Sequence, residues 1–167
     1  MKPNKLDETI FDGTIEMMIN AMHTAWRVGV FDDQLFKQMS STFVQAVNAS
    51  LKMEIHKLPK ERQAAFKSFA DELIKPVKRA NNMGSFLDAL KTVGIAKQNI
   101  VKRLQVEMLS ENRFRKFFSG VNKQLRKSGD WIADNKNKFI KVVLDFLEEW
   151  ITEIISYISH SLQKKGA

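Results

Sequence analysis

Apolar side chains return every three or four positions along almost the whole chain, and no alternating segment runs longer than three or four residues. A repeat near 3.6 marks amphipathic helices, whereas a repeat of two marks half-buried strands. The pattern therefore predicts an all-α protein. Ile10, Phe11, Met17, Met18, Met22, Ala25 and Trp26 define a first helix from Lys5 to Trp26, with Gly29 as its stop signal. A second helix opens at Asp32, whose carboxylate suits the free amides and positive end of a helix start. Phe31 and Phe36 flank that cap as a hydrophobic staple would. Phe36, Met39, Phe43, Val47, Leu51 and Ile55 continue as one stripe.

Pro59 suits the first turn of a third helix, with Ala65, Phe66, Phe69, Leu73 and Val77 as its inward face. Pro76 lacks an amide donor and restricts Lys75, so a kink or an end is expected there. Arg79 to Gly84 reads as a loop, and Ser85 as the cap of a short fourth helix, with Asp88 three residues on. Gly94 reads as the end of that helix. A fifth helix is expected over Ile95–Leu109 and a sixth over Ser110–Arg126, and the pattern leaves open whether these are one bent helix. Ser128–Gly129–Asp130 reads as a turn.

The last predicted helix, Trp131–Leu162, has the widest apolar face. Ile140, Val143, Leu147, Trp150, Ile151, Ile154 and Ile158 form one stripe, widened by Phe139, Val142, Phe146 and Ile155. Lys138, Lys141, Asp145, Glu148, Glu149, Thr152, Ser156 and Ser159 form a narrow polar strip. So wide an apolar face has to pack on several neighbours. The expected fold is a single-domain bundle of six to seven helices, over residues 1–167, around this long hydrophobic C-terminal helix.

A chain of 167 residues suits one domain with one core. The absence of cysteine excludes disulfides, thiolate metal sites and cysteine nucleophiles. Met1 to Asp12 carries charges where a secretory signal needs an apolar run. The uncharged stretch Ile154–Gln163 contains serines and His160, and falls short of the ~20 apolar residues that span a membrane. These features lead to the expectation of an intracellular, soluble protein that can lie on a membrane without crossing it.

Net charge is +8, and its location matters more than its size. Lys91–Lys127 holds ten Lys or Arg and two Glu, while the remainder of the chain is balanced at 17 basic and 17 acidic residues. An excess confined to one segment points to an anionic partner.

Catalytic chemistry finds no foothold in the sequence. His23, His56 and His160 fall on three different predicted helices, whereas a zinc helix places two histidines one turn apart. Asp145, Glu149 and Glu153 recur at i+4, but no Glu-x-x-His accompanies them as a di-iron site requires. A solvated face accounts for them. No glycine-rich phosphate loop and no Gly-x-Ser-x-Gly elbow occurs. The eight methionines sit mostly at core spacing. No enzyme activity, cofactor or metal is expected.

The distinctive element is the basic amphipathic segment Glu111–Lys127. Phe114, Phe117, Phe118, Val121 and Leu125 form its apolar face, and Arg113, Lys116, Lys123 and Lys127 the opposite one, flanked by Arg115 and Arg126. Basic helices with phenylalanines read as elements that meet anionic membranes or acidic proteins. The six cations Arg113, Arg115, Lys116, Lys123, Arg126 and Lys127 are the candidate anion-binding residues, with Phe114, Phe117 and Phe118 as candidate apolar contacts. The bland alternative is a bundle helix whose charges pair with the last helix. If the Ser128–Asp130 turn makes an antiparallel hairpin, Arg113 would approach Asp145 and Lys123 would approach Asp134. Nucleic acid is a further candidate partner, one that needs the charge while the phenylalanines stay in the core. It is weakened because no helix-turn-helix spacing and no aromatic platform is visible.

An apolar helix wrapped by amphipathic ones is also the plan of the Bcl-2 family, and Trp131–Ile132–Ala133 resembles the start of that family's second homology motif. The family's Asn-Trp-Gly-Arg signature is absent, so the sequence assigns the chain to no family. The shared plan keeps open a carrier for lipid, or a groove for a partner helix.

Overall fold

The burial of one helix organises the bundle. The structure, a computed structural model, describes residues 5–104, 112–127 and 134–164, with side chains for 15–100, 102, 116–123 and 134–163. Six helices follow one another: α1 (Lys5–Arg27), α2 (Asp33–Glu54), α3 (Lys60–Arg79), α4 (Met83–Leu104), α5 (Asn112–Lys127) and α6 (Lys136–Lys164). A 3-10 turn, Ile55–Lys57, links α2 to α3. The described residues contain no strand.

The C-terminal helix α6 is the hub. Phe139, Val143, Phe146, Leu147, Trp150, Ile151, Ile154, Ile155 and Ile158 are all buried, and the helix packs against α2, α3 and α4. Around it, α3 lies between α2 and α4, α1 lies against α4, and α5 lies against α1. Buried side chains from every helix join one contiguous core. The far end of α6 is closed by Arg62 of α3, whose Nη1 donates to the carbonyl of Leu162. A cation there bonds a carbonyl of the last turn and opposes the negative end of the helix dipole.

Local signals explain most element boundaries. After α1, Gly29 adopts φ +81°, with its N–H donating to Trp26 and that of Val30 donating to Ala25. These paired bonds close the helix as a Schellman motif and need a residue free of a Cβ penalty. Asp32 caps α2 by accepting from the Leu35 amide at 2.9 Å. Phe31 and Phe36 are both buried beside that cap, but their rings go to different partners, Phe139 and Phe86. Gly84 admits a close approach, because a Cβ there would meet the Trp26 ring at 2.8 Å.

Two boundaries differ from the sequence expectation, and at Pro76 one of its two alternatives is removed. Pro76 does not end α3, which runs on to Arg79. Its missing donor costs one bond near the helix end, and continuing buries Val77 completely. Ser85 is not the first cap of α4. Asn82 is, accepting from the Ser85 amide at 2.8 Å, while the Ser85 hydroxyl accepts from the Asn81 and Asn82 amides. Serine thus plays the returning role that glutamate usually plays in a capping box.

Gly94 does not end a helix either. One helix, α4, spans the predicted fourth helix and most of the fifth, because Leu90, Val93, Lys97 and Ile100 carry the buried stripe straight through. Residues 105–111, the Ser128–Asp130 turn and Trp131 lie outside the described residues, so the junction of the fifth and sixth predicted helices does too.

Ser159, expected on the polar strip, is buried; it donates to Glu54 at 3.1 Å and accepts from Gln163 at 3.2 Å. Among the methionines, Met18, Met22, Met39 and Met83 are buried as expected, while Met53 is exposed.

Gly94 offers a direct test of the continuous α4. Nothing lies within 4 Å of a Cβ added there. Gly94→Ala should therefore stabilise the protein by up to ~1 kcal/mol, since alanine is the better helix residue. For a chain of this size the melting temperature should rise by about 2–4 °C per kcal/mol. A lower melting temperature by calorimetry would mean the helix does not pass through residue 94.

Candidate anion-facing surface

The helix α5 is amphipathic, and the structure shows where each face goes. Phe118 and Val121, three residues apart, are buried, and Phe117 is half-buried against the core. Lys116, Ser119, Gly120 and Lys123, at three- and four-residue steps, are exposed. Arg113, Phe114, Arg115, Arg126 and Lys127 belong to α5, but their side chains lie outside the described residues.

The apolar face is held by rings. Phe118 meets Phe139 edge-on at 6.4 Å and Phe146 edge-on at 5.7 Å, and Phe146 stacks on Trp150 at 6.0 Å. Phe117 stacks on Phe139 at 6.3 Å, and Phe139 also meets Phe31 at 5.3 Å. Aromatic pairs of this geometry add ~0.5–1.5 kcal/mol each beyond their buried area. The other flank of α5 is tied to α1, where Asn122 Nδ2 donates to the Met17 carbonyl at 3.2 Å. The backbone of α5 thus lies against α1, whereas α5 and α6 meet through rings.

This placement bears on the sequence-derived surface residue by residue. Lys116 and Lys123 are free to meet solvent or a partner. Phe118 is spent inside the bundle, so it reaches a partner only if α5 leaves its seat. Lys123 and Asp134 are both exposed, and among the described residues no ion pair joins them. Lys97 belongs to the basic segment but is buried on α4, where it engages a partner within the protein. The acidic ladder turns inward along α6: Asp145 is exposed, but Glu149 and Glu153 are half-buried and engaged.

Other polar groupings appear that the sequence did not single out. An open groove of about 520 Å³ between α3 and α4 is lined by Glu72, Lys75, Pro76, Arg79, Asp88 and Thr92, with charges of both signs. Near the end of α6, Glu54 accepts from Ser159 and pairs with Lys57 at 3.3 Å, beside Tyr157 and His160. Glu54 and Ser159 stand 105 positions apart, and no local pattern joins them. Among the described residues no group of three or more histidines and carboxylates is placed to hold a metal ion. No helix among them is long and apolar enough to cross a membrane.

His23 lies where α1 meets α4, its ring 6.3 Å from that of Trp26. Partial burial holds its pKa below the usual 6.5, helped by Lys91 and Arg27 and opposed by Asp88. Protonation is therefore harder in the folded than in the unfolded chain. Stability from this histidine is fully present above pH 6.5 and is lost as pH falls from there toward the lower folded value.

Two outcomes follow. Phe118→Ala should cost ~3–5 kcal/mol, the usual range for emptying a buried ring site, whereas Lys116→Ala should change stability by under ~0.5 kcal/mol. Equal effects in denaturant titrations would reverse the assignment of the two faces. His23→Gln should flatten the decline in stability just below pH 6.5, and an unchanged slope would assign the decline to other groups. Comparison of the chain with family models, with curated proteins and with solved structures finds no match, so its function has to be read from its own residues.

Proposed function

We propose that the protein is a non-enzymatic binding module whose basic face, centred on α5, meets an anionic membrane surface or an acidic protein. The observation that carries this reading is the division of α5. Lys116 and Lys123 are exposed while Phe118 and Val121 are locked into the core. The charge is therefore on offer without any unfolding. Each basic residue near an anionic surface contributes about 1 kcal/mol, so exposed cations of the segment such as Lys116 and Lys123 support affinity even if no phenylalanine inserts.

Nucleic acid is the second reading, favoured by the same burial of Phe118, because phosphate contacts need charge alone. A carrier draws less support. Trp150, Ile151, Ile154 and Ile155 are at most 1% exposed, whereas residues lining a lipid-sized void would keep accessible surface.

Reversing Arg113, Lys116 and Lys123 to Glu takes net charge from +8 to +2, since each reversal removes two units. The fold should survive, as Lys116 and Lys123 are exposed and exposed substitutions usually change stability by under ~0.5 kcal/mol each. Binding to vesicles rich in anionic phospholipid should fall sharply, and 1 M salt should do the same to the wild type, because the Debye length shrinks to ~3 Å. Duplex DNA and single-stranded RNA are measured beside the vesicles. A wild type that binds none of these at low salt, or a reversed variant that binds as well as wild type, would sink the proposal.

A further inference from the structure

The excess charge in the sequence stops at Lys127, but the fold does not keep it there. Phe117 and Phe118 of α5 both meet the ring of Phe139 on α6. Lys116 precedes Phe117 in the chain, and Lys138 precedes Phe139. The ring contact therefore draws the exposed side of α5 beside the first turns of α6. Lys138 and Lys141 are exposed there.

Helix geometry says which flank they occupy. Lys136 and Ile140 line a recess with Val30, Asp32 and Leu35, so that flank of α6 looks toward the start of α2. Two residues on, Lys138 is turned by about 200° from Lys136, onto the flank away from α2. Lys141 lies about 60° from Lys138, turned back toward the Ile140 side and nearly opposite the buried stripe of α6, so it points to solvent. Asp145 is exposed one turn beyond Lys141 and bounds the basic area along α6. Asp134, also exposed, bounds it at the other end.

We infer that Lys138 and Lys141 extend the α5 surface into one composite basic face formed by α5 and the N-terminal third of α6, and that its partner is an anionic phospholipid bilayer. The inference rests on the reading of α5 given above. Two observations favour the bilayer over nucleic acid. The cations it adds on α6, Lys138 and Lys141, are lysines: compact hydrated charges that suit a diffuse array of headgroups better than forked recognition of one phosphate. The exposed large apolar side chains among the described residues are Trp26, Val28, Met53 and Ile95, none on α5 or α6. Single-stranded nucleic acid would find no described stacking platform there.

The test compares three variants of the full chain with wild type on vesicles containing phosphatidylserine and on duplex DNA, at low salt. One reverses Arg113, Lys116 and Lys123 to Glu. The second carries Lys138→Glu and Lys141→Glu. The third is a charge-matched control, Lys60→Glu and Lys67→Glu, on the exposed side of α3, which packs against neither α1 nor α5. Circular dichroism melts show that each is folded. The Lys138/Lys141 variant should bind vesicles at least about twentyfold more weakly than wild type, and the α3 control within about threefold of it. If the α5 variant loses vesicle binding and the Lys138/Lys141 variant does not, the α5 reading stands and the composite face is overturned. Equal loss in the α3 control would mean net charge alone acts, which also overturns it. A wild type that binds DNA but not vesicles overturns the bilayer, and a wild type that binds neither removes both proposals.

Discussion

The structure depends first on hiding the apolar face of α6. That face is too wide for a single neighbour, so α2, α3 and α4 must all lie against it. Each large side chain removed from water contributes roughly 1.5–3 kcal/mol. Trp150, Phe139, Phe146 and Ile151, all fully buried, are therefore among the large contributors to the stability of the bundle. Polar groups drawn inside with the helix have to find partners there, and Ser159 does so with Glu54 and Gln163. Arg62 does the same at the helix end, where it donates to the Leu162 carbonyl.

The basic surface of α5 is a consequence of that burial. Phe139 and Phe146 leave room on α6 for the rings of α5, and these rings set how α5 sits. With Phe118 and Val121 directed inward, helical periodicity leaves Lys116 and Lys123 no direction but outward. The core and the basic face are two sides of one constraint. A partner that needed the phenylalanines would have to compete with the aromatic contacts, whereas a partner that needs only charge finds the surface ready. On this view the acidic ladder has a structural part. Glu149 and Glu153 are drawn toward the core and engaged, leaving Asp145 outside as the edge of the basic face.

Much of the architecture was legible in the chain because local chemistry specifies it. Asp32 can satisfy the first amides of α2 from its own position, and Gly29 alone adopts the left-handed turn that closes α1. The stripe of α6 required several neighbours whatever their identity. The reading that failed at Gly94 is one where a local breaker competes with burial. Gly94 costs a helix about 1 kcal/mol. Burying Val93 and Ile100 on either side outweighs that, so the helix continues. At Ser85 the sequence showed a cap but not its direction, because Asn82 could supply the acceptor three residues earlier.

By itself, then, the sequence determined most of the helices, the helix that must be central, and the segment that holds the excess charge. All of these follow from periodicity and composition, which act over a few residues. Only the tertiary structure decided which charges are surface charges. Lys97 and Lys102 stand five positions apart in one basic segment, yet the first is buried and the second exposed. Only the fold brought Ser159 to Glu54. The physical reason is that helices choose neighbours by the fit of whole faces, summed over rings such as Phe117, Phe118 and Phe139, and no short stretch of sequence carries that sum.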